Sequence, residues 1–254
     1  MKKYLRYLLE CIRVQDRVLF SAALRFFFWK KLPDRDLVIH NPAMGSFFCR
    51  RQTTDFMYSF KAYEYRVKKL ISQYLHDCDA FFDIGACIGD YSVWVGRQGI
   101  TSYAFEPLRE NFLSLEQNIQ QNQLTGRVHA FPFGLGSMSE DITFRINPTN
   151  KGYSGRYVEL EDAVTHEVEI QTLDNFIEDQ QLSHDCFYII KIDAEGMELE
   201  VLRGAIGMLQ QVRKLLLIFE AHTQADQVLA LLNEHTSYQL IEVDELNMAA
   251  LIES

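Results

Sequence analysis

A turn between two glycines is the first feature of the sequence that could carry chemistry. In Phe81–Gly96, FFDIGACIGDYSVWVG, an apolar run ends at Asp83, and Gly85 and Gly89 delimit the turn that follows. Glycine lets the backbone bend tightly and lets a ligand approach its amide groups, while the next helix adds the positive end of its dipole. The turn indicates a ligand site, although a plain strand-to-helix connection is an alternative, because a short glycine pattern is not specific.

An acid at the end of the next apolar run is the second feature. Glu106 ends the run TSYAFE and lies 21 residues after Gly85. An acid about 20 residues beyond a glycine turn, at the tip of the neighbouring strand, is placed to bind both hydroxyls of a ribose. The loop G-A-C-I-G lacks the G-x-G-x-x-G pattern of pyrophosphate sites. We therefore predict a nucleoside-containing cofactor without phosphates.

The charged residues of K-I-D-A-E form the third feature. In a strand, Lys191 and Asp193 share one face, and Asp193 and Glu195 lie at the carboxyl end, where open α/β sheets bind ligands. A lysine inside the apolar run FYIIKI requires a charged partner. These residues are candidates for binding an acceptor and removing its proton, and a purely structural ion pair is the alternative.

A metal site is a weaker possibility at the same edge. Glu220 and His222 follow the next apolar run and could join Asp193 as carboxylate and imidazole ligands. Ligands spread over separate strands are not a metal motif, however. We predict no metal, with Glu220 supporting or binding the acceptor and His222 an ordinary histidine at a helix start.

These residues need a sheet to position them, and the pattern of apolar runs predicts one. Continuous apolar character indicates strands buried on both faces, as in a parallel sheet that helices cover. The predicted strands are 80–84, 101–106, 128–133, 186–193, 214–220 and 238–243. Helical spacing predicts helices over 107–123, 196–211 and 224–235. The alternation predicts an α/β fold with a doubly wound, mostly parallel sheet.

Two segments depart from this alternation. Residues 141–172 alternate apolar and polar residues around a turn-rich centre, which predicts a hairpin-like insertion between the third and fourth strands. After 238–243 there is no room for a helix before M-A-A-L-I-E, which predicts an antiparallel C-terminal strand. We divide the chain into an N-terminal helical and irregular appendage (1–60) and a main domain (61–254).

Composition restricts the class of protein. The chain has 254 residues, 48% of them hydrophobic and 24% charged, which is typical of a globular protein. A net charge of −10 argues against nucleic acid as a partner. Five cysteines without a C-x-x-C pair indicate neither a disulfide framework nor a zinc site. With no signal-peptide pattern and no membrane-spanning run, we expect a cytoplasmic location.

Residues 1–35 differ from the rest in charge. Their net charge is about +6, that of the remainder is about −16, and a cluster of aromatic residues lies at 26–29. The pattern predicts amphipathic helices. They either pack on the main domain or contact a membrane surface or a partner protein.

Taken together, the motifs resemble the FkbM family of S-adenosylmethionine-dependent methyltransferases. The resemblance covers about residues 45–220 and includes the Tyr63-Glu64-Tyr65 run. Its motifs are R-R-Q-T-T-D (50–55), D-I-G-A-C-I-G (83–89), A-F-E-P (104–107), Asn111, Asn118, T-L-D (172–174) and I-K-I-D-A-E-G-M-E-L-E-V-L-R-G-A (190–205). This resemblance implies a class I, Rossmann-like methyltransferase fold.

The resemblance also implies S-adenosylmethionine as the cofactor. It places the methionine and ribose portion against Asp83, Gly85 and Gly89, the ribose hydroxyls at Glu106, and the adenine near residues 134–137. The residues predicted to bind the cofactor are Asp83, Gly85, Ala86, Gly89, Glu106, Pro107 and Gly134.

The predicted activity is O-methylation of a sugar, glycan or natural-product hydroxyl. Asp193 is the predicted base, Glu195 the second candidate, and Lys191 orients them. A nicotinamide-dependent oxidoreductase is one alternative, against which the missing G-x-G-x-x-G and Tyr-x-x-x-Lys patterns count. A non-enzymatic scaffold that binds a partner through residues 1–35 is another, and the retained acids count against it.

Overall fold

The computed structural model describes residues 2–146, 155–156, 164–220 and 224–253. The helices are α1 (Lys2–Val14), α2 (Arg17–Trp29), α3 (Tyr65–Tyr74), α4 (Asp90–Gly96), α5 (Arg109–Gln121), α6 (Leu173–Asp179), α7 (Glu198–Arg203), α8 (Ile206–Gln211) and α9 (Ala225–His235). The strands are β1 (Leu37–Asn41), β2 (Gly45–Cys49), β3 (Ala80–Ile84), β4 (Thr101–Phe105), β5 (Val128–Phe131), β6 (Gly134–Leu135), β7 (Glu140–Ile146), β8 (Val164–Gln171), β9 (Phe187–Ile192), β10 (Lys214–Glu220), β11 (Tyr238–Glu242) and β12 (Asn247–Glu253).

A seven-stranded sheet with the order β11-β12-β10-β9-β3-β4-β5 forms the centre of the fold. The neighbours from β10 to β5 are parallel, and β12 is antiparallel to both β10 and β11. This confirms the predicted doubly wound sheet with an antiparallel C-terminal strand. The chain runs outward from β3 to β5 and then returns to the other side of β3. The switch point between β3 and β9 is where such sheets bind ligands.

The predicted boundaries hold for most elements and fail for one helix. The runs 80–84 and 214–220 coincide with β3 and β10. The predicted helix 196–211 is instead two short helices, α7 and α8, separated at Gly204 and Ala205. A Cβ atom at Gly204 would lie 2.0 Å from the carbonyl oxygen of Gly136, so the neighbouring loop packs directly against the backbone at this break.

The predicted insertion is a hairpin that covers one end of the sheet. β7 and β8 pair antiparallel from Glu140 with Ile170 to Ile146 with Val164, and β6 pairs parallel with β8. Most of the predicted turn-rich centre lies outside the described residues. Apolar residues of the hairpin pack against Leu108 and Met197, at the carboxyl ends of the central strands.

Helices α1 and α2 pack on the main body through one face. Tyr7 of α1 and Leu19 of α2 belong to the same hydrophobic cluster as Phe81 of β3 and Ile189 of β9. The buried face of these helices therefore packs on the main domain, which is one of the two predicted alternatives. The domain boundary at residue 60 stays a prediction. None of the described helices is long and apolar enough to cross a bilayer.

The β1–β2 hairpin is joined to α5 by two buried amide side chains. Asn118 is 0% exposed; its Oδ1 accepts a hydrogen bond from the Phe48 amide (2.7 Å), and its Nδ2 donates to the Ile88 carbonyl (2.8 Å). Asn122 makes the equivalent pair of bonds with both backbone groups of Ser46. Asn118 therefore links three segments: α5, β2 and the glycine turn.

Replacing Asn118 by leucine should destabilise the protein by about 2–6 kcal/mol, because two backbone groups, one buried and one partly buried, lose their partners at about 1–3 kcal/mol each. The measurement is the free energy of unfolding in urea. Gln120→Leu, at an exposed position of the same helix, is the control and should change stability little. Equal effects of the two substitutions would contradict the assigned role of Asn118.

Candidate active site

The glycine turn is fixed by backbone contacts between three strand ends. A Cβ atom at Gly85, where φ is +83°, would lie 1.9 Å from the carbonyl oxygen of Asp193. The amides of Gly85 and Ala86 both donate to the Phe105 carbonyl at 3.0 Å, and the Asp193 amide donates to Ile84 at 2.9 Å. Glycine is therefore required at position 85 both by conformation and by space. The turn brings β9 and its acids against the end of β3.

Glu106 lies buried at the end of β4 and is held by two amides. Its side chain accepts hydrogen bonds from the amides of Leu108 (2.8 Å) and Cys87 (2.9 Å), one on each carboxylate oxygen. Burial raises the pKa of Glu106 to about 7, although these hydrogen bonds act in the opposite direction. The Asn111 side chain takes one of the acceptor sites that these amides leave on the carboxylate. Glu106 keeps capacity to accept a ligand hydroxyl.

A second layer of residues connects Glu106 to the R-R-Q-T-T-D motif. Arg50 contacts both carboxylate oxygens of Asp55 (2.7 and 3.1 Å) and donates to Oδ1 of Asn111 at 2.8 Å. The Asn111 side chain in turn hydrogen-bonds Glu106. These residues were part of the motif without an assigned role, and the structure places them behind the predicted ribose-binding acid.

A cleft, here called the Glu106 cleft, opens beside this acid. Its apolar walls come from α5, the insertion hairpin and the start of α7, and consist of Leu108, Leu135, Phe144, Ile170 and Met197. At its end lie Gly85, Asp193 and Glu195. The Glu106 cleft thus combines the Glu106 carboxyl group, and two more at its end, with apolar walls, which is suitable for a sugar joined to an apolar ring.

A second cavity, the Lys191 cavity, has a volume of about 130 Å³ and is strongly polar. Six acids, one lysine and three tyrosines line it: Glu64, Asp83, Asp90, Asp193, Glu195, Glu220, Lys191, Tyr58, Tyr63 and Tyr91. It shares four lining residues with the Glu106 cleft, namely Gly85, Cys87, Asp193 and Glu195. The two spaces therefore meet at the glycine turn and the D-A-E segment.

The residues predicted for the cofactor distribute over these two spaces. Gly85 lines both, Asp83 and Ala86 line the Lys191 cavity, and Glu106, Pro107 and Gly134 line the Glu106 cleft. Gly89 lines neither space. A Cβ atom at this position would lie 2.4 Å from Leu115 Cδ1, so Gly89 allows close packing against α5. The predicted catalytic residues Lys191, Asp193 and Glu195 all line the Lys191 cavity.

Asp83 faces the Lys191 cavity but is also held by the first turn of α4. Its Oδ2 accepts hydrogen bonds from the amide (3.0 Å) and the hydroxyl (2.6 Å) of Ser92. Burial raises the pKa of Asp83 to about 6, although Lys191 and the Ser92 bonds lower it. Asp83 therefore fixes the glycine turn to α4.

Lys191 has the charged partner that its apolar surroundings require. Its Nζ lies 2.8 Å from Asp193 Oδ2, 4.0 Å from Glu64 Oε2 and 4.7 Å from the ring centre of Tyr91. Burial alone would lower the pKa of Lys191, but the carboxylates of Asp193 and Glu64 outweigh it and raise the pKa above its ordinary value. Lys191 therefore stays charged and orients Asp193.

The remaining acids of the cavity differ from Asp193 in environment. Burial, followed by repulsion from Asp193, Glu220 and Glu198, raises the pKa of Glu195 to about 9. Burial also raises the pKa of Glu220 to about 7, with Asp193 and Glu198 contributing. Glu195 is therefore protonated at neutral pH and can donate a hydrogen bond, while Asp193 forms the ion pair. This difference favours Asp193 over Glu195 as a proton acceptor.

Three of the eight non-glycine residues with positive φ in the described part of the chain lie at the Lys191 cavity. Glu64, Cys87 and Glu195 have φ values of +47°, +48° and +49°, in the left-handed region that non-glycine residues rarely adopt. All three line the cavity. Such strain persists where the surrounding structure imposes it, and it clusters at functional sites. Glu64, which the sequence placed in a motif but gave no role, joins the site on this evidence and on its contact with Lys191.

The described residues contain no candidate metal site. Among them, no group of three or more His, Cys, Asp or Glu side chains is arranged so that it could hold a metal ion. His222 lies outside the described residues. The absence of a metal therefore stays a prediction.

Sequence comparison identifies the family. A family model described as the methyltransferase FkbM domain matches residues 83–240, more than half of the chain. The chain belongs to this family. The match begins at Asp83 and includes the glycine turn, Glu106 and the K-I-D-A-E segment. The predicted FkbM methyltransferase is thereby confirmed at family level, and the match favours it over a nicotinamide-dependent oxidoreductase.

Individual relatives agree with this assignment. The chain is 29% identical over 173 residues to hexuronic acid methyltransferase AglP of Haloferax volcanii, which is 67% of this chain and 68% of that relative. It is 26% identical over 148 residues to methyltransferase 1 of Beauveria bassiana, covering 50% of this chain and 58% of the relative. A solved FkbM methyltransferase from Methylobacillus flagellatus KT is 17% identical with a TM-score of 0.48, covering 79% of this chain and 56% of that one. The chain thus spans only part of each relative.

The raised pKa of Glu195 predicts a pH dependence of stability. Its pKa is 4.5 in the unfolded chain and about 9 in the folded protein, so the folded state binds a proton that the unfolded state releases. Its contribution to stability is therefore full below pH 4.5 and is lost as pH rises toward 9. We expect wild-type stability to fall more steeply between pH 6 and 9 than that of Glu195→Gln, measured by urea unfolding.

Glu178→Gln, at an exposed position of α6, is the control for this experiment and should follow the wild-type curve. If Glu195→Gln and wild type have parallel curves, Glu195 ionises in the folded protein like an ordinary carboxyl group.

Proposed function

We propose that the protein is an S-adenosylmethionine-dependent O-methyltransferase that acts on a hydroxyl of a sugar or glycan. The observation that carries the proposal is the junction of the Glu106 cleft and the Lys191 cavity at one glycine turn, in a chain of the FkbM family. One space has the features of a nucleoside site, and the other has a paired carboxylate and many hydroxyl-binding groups. The proposal places the enzyme in the cytoplasm, in keeping with five free cysteines.

The residues of the Glu106 cleft fit the cofactor. Glu106 would accept a ribose hydroxyl with the acceptor capacity that Cys87, Leu108 and Asn111 leave free. The apolar walls of the insertion hairpin enclose the adenine. Gly134 allows close packing there, since a Cβ atom would lie 2.8 Å from Ile170 Cδ1. When bound, the cofactor supplies an electrophilic methyl group on a sulfonium.

The Lys191 cavity fits an acceptor with several hydroxyl groups. Carboxylates accept hydrogen bonds from hydroxyls, and tyrosines offer both a hydroxyl and an aromatic face. Glu64 and Glu220 together with Tyr58 and Tyr63 provide these groups in the cavity. Similarity to AglP, a hexuronic acid methyltransferase, supports a sugar acceptor for this chain.

Asp193 removes the proton of the acceptor hydroxyl. Its half-buried carboxylate lines both spaces, so it can meet a hydroxyl beside the cofactor site. As the acceptor oxygen displaces the thioether S-adenosylhomocysteine from the methyl carbon, the S–CH3 and O–H bonds would break, an O–CH3 bond would form, and Asp193 would take up the proton. Lys191 holds Asp193 in place, and protonated Glu195 donates a hydrogen bond to the acceptor. Alignment of the nucleophile supplies much of the rate.

Glu106→Ala should weaken binding of S-adenosylhomocysteine by about 1–3 kcal/mol, because ribose hydroxyls lose a charged acceptor. Isothermal titration calorimetry measures this loss. Glu116→Ala, an acid on α5 outside both spaces, is the control and should bind like wild type. Tight binding of NADH without any response to S-adenosylhomocysteine would refute the proposed cofactor.

Asp193→Asn should lower kcat about 10²–10⁴-fold and leave cofactor affinity nearly unchanged, because it keeps the shape of the base and removes its basicity. The measurement is transfer of labelled methyl groups to a panel of sugars and glycans, with cofactor affinity from calorimetry. Glu195→Gln is the matched comparison and should lower kcat less than Asp193→Asn does. If turnover survives Asp193→Asn but not Glu195→Gln, the two acids exchange roles.

A further inference from the structure

Helix α1 carries an apolar face that its packing leaves in solvent. Tyr7 and Cys11 turn toward the core and are 2% exposed. On the other side of the helix, Leu5 is 56%, Leu9 46% and Ile12 66% exposed. The three residues are spaced at i, i+4 and i+7, so they form one apolar stripe along the helix.

Helix α2 also carries exposed apolar residues, and these are aromatic. Its buried side includes Leu19 and Ala23, whereas Phe20 is 43%, Phe28 65% and Trp29 62% exposed. The rings of Phe28 and Trp29 lie 5.9 Å apart at the end of the helix. Single exposed apolar residues are common on proteins, but a set of six on two packed helices indicates a contact surface.

Exposed basic residues accompany the apolar ones. Arg6 and Arg13 on α1, Arg17 and Arg25 on α2, and Lys31 after it are all exposed. We call the α1–α2 face the surface formed by Leu5, Leu9, Ile12, Phe20, Phe28 and Trp29 with these basic residues.

The acids of the two helices are occupied elsewhere. Glu10 accepts hydrogen bonds from the amides of Lys61 and Ala62, and Asp16 caps α2 and accepts from the His40 amide. Arg25 also lies 3.5 Å from Asp34, an exposed pair after α2. The α1–α2 face still carries five basic residues in a chain whose overall charge is −10.

We propose that the α1–α2 face docks on the surface of an anionic lipid bilayer. Basic residues are attracted to anionic headgroups, and leucine, phenylalanine and tryptophan side chains insert at the boundary between headgroups and acyl chains. Tryptophan in particular prefers that interface. A symmetric dimer through the same face is disfavoured, because it would bring two surfaces of net positive charge together.

A groove beside α1 supports the choice of a lipid surface. It has a volume of about 400 Å³ and is lined by Arg6, Leu9, Arg13, Lys61 and Tyr65, among others. The lining also includes the acid Glu10, so three cations and one carboxylate leave the groove with a net positive charge beside apolar residues. That combination matches the chemistry of a phosphate-bearing headgroup above an acyl chain. Because Leu9, Arg6 and Arg13 belong to both, the groove is continuous with the α1–α2 face.

Docking would also bring the bilayer close to the acceptor site. The groove residues Lys61 and Tyr65 belong to the same short segment as Tyr63 and Glu64, which line the Lys191 cavity. The docking proposal itself rests on surface chemistry and does not depend on the proposed methyl transfer.

Sedimentation with vesicles tests the proposal. Vesicles of phosphatidylcholine mixed with phosphatidylglycerol should retain the protein at low salt, and about 1 M salt, where the Debye length is about 3 Å, should release much of it. Phosphatidylcholine alone should retain far less. Trp94 is 2% exposed and Trp29 62%, so a blue shift of tryptophan emission and its quenching by brominated lipid report on Trp29.

Surface variants separate the contribution of apolar insertion to vesicle binding from that of electrostatic attraction. Ile12→Ser with Phe28→Ser, and independently Arg13→Glu with Arg17→Glu, should each weaken vesicle binding about tenfold or more. The controls are Leu113→Ser with Met138→Ser, exposed apolar residues elsewhere, and Lys69→Glu with Arg127→Glu, exposed basic residues elsewhere. These should bind like wild type, and circular dichroism should show that all variants fold.

Three results would overturn the proposal. They are absence of retention by anionic vesicles, equal loss of binding in the control variants, and a dimer in light scattering that Ile12→Ser with Phe28→Ser dissociates. Binding of S-adenosylhomocysteine should be the same in wild type and all four double variants, which keeps a failure here distinct from a failure of the proposed activity.

Discussion

The contact between the backbones of Gly85 and Asp193 is the constraint on which the site depends. With 1.9 Å between a would-be Cβ atom and a carbonyl oxygen, no side chain can occupy position 85 without moving β3 away from the end of β9. That approach brings the acids after β9 beside the turn after β3. It also makes the Glu106 cleft and the Lys191 cavity adjacent, because both are lined by Gly85 and Asp193. One close contact thereby aligns a nucleoside site with an acceptor site.

Charged side chains are buried around the contact between Gly85 and Asp193. Pairing with opposite charges offsets the free energy that their burial costs. The ring of Tyr91 lies 4.1 Å from Lys68 Nζ and 4.7 Å from Lys191 Nζ, and its hydroxyl donates to Glu64 at 2.7 Å. Lys68 is paired with Asp90 at 3.2 Å, as Lys191 is with Asp193 at 2.8 Å. Burying charged groups is expensive unless each has a well-placed partner. The arrangement therefore favours a preorganised site over maximal stability.

Sequence patterns predicted what local physics determines. The strands 80–84 and 214–220 followed from continuous apolar runs, and a partner for Lys191 followed from the cost of an unpaired buried ammonium. The break between α7 and α8 was missed because it depends on a loop that approaches Gly204 from distant sequence. Glu64 was assigned no role for the same reason, since only the folded chain brings it near Lys191. Long-range contacts leave no periodicity in the sequence to reveal them.

The helices that precede the central sheet bear on the position of the acceptor site. Glu10 of α1 accepts hydrogen bonds from the amides of Lys61 and Ala62 at 2.6 and 2.7 Å, which fixes the segment just before Glu64. Glu64 enters α3 in a left-handed conformation and reaches toward Lys191, the partner of Asp193. The chain from Lys61 to Glu64 and these polar contacts therefore connect α1 to Asp193. Since Glu10 fixes the start of that segment and Glu64 lies 4.0 Å from Lys191, the packing of α1 bears on the surroundings of the proposed base.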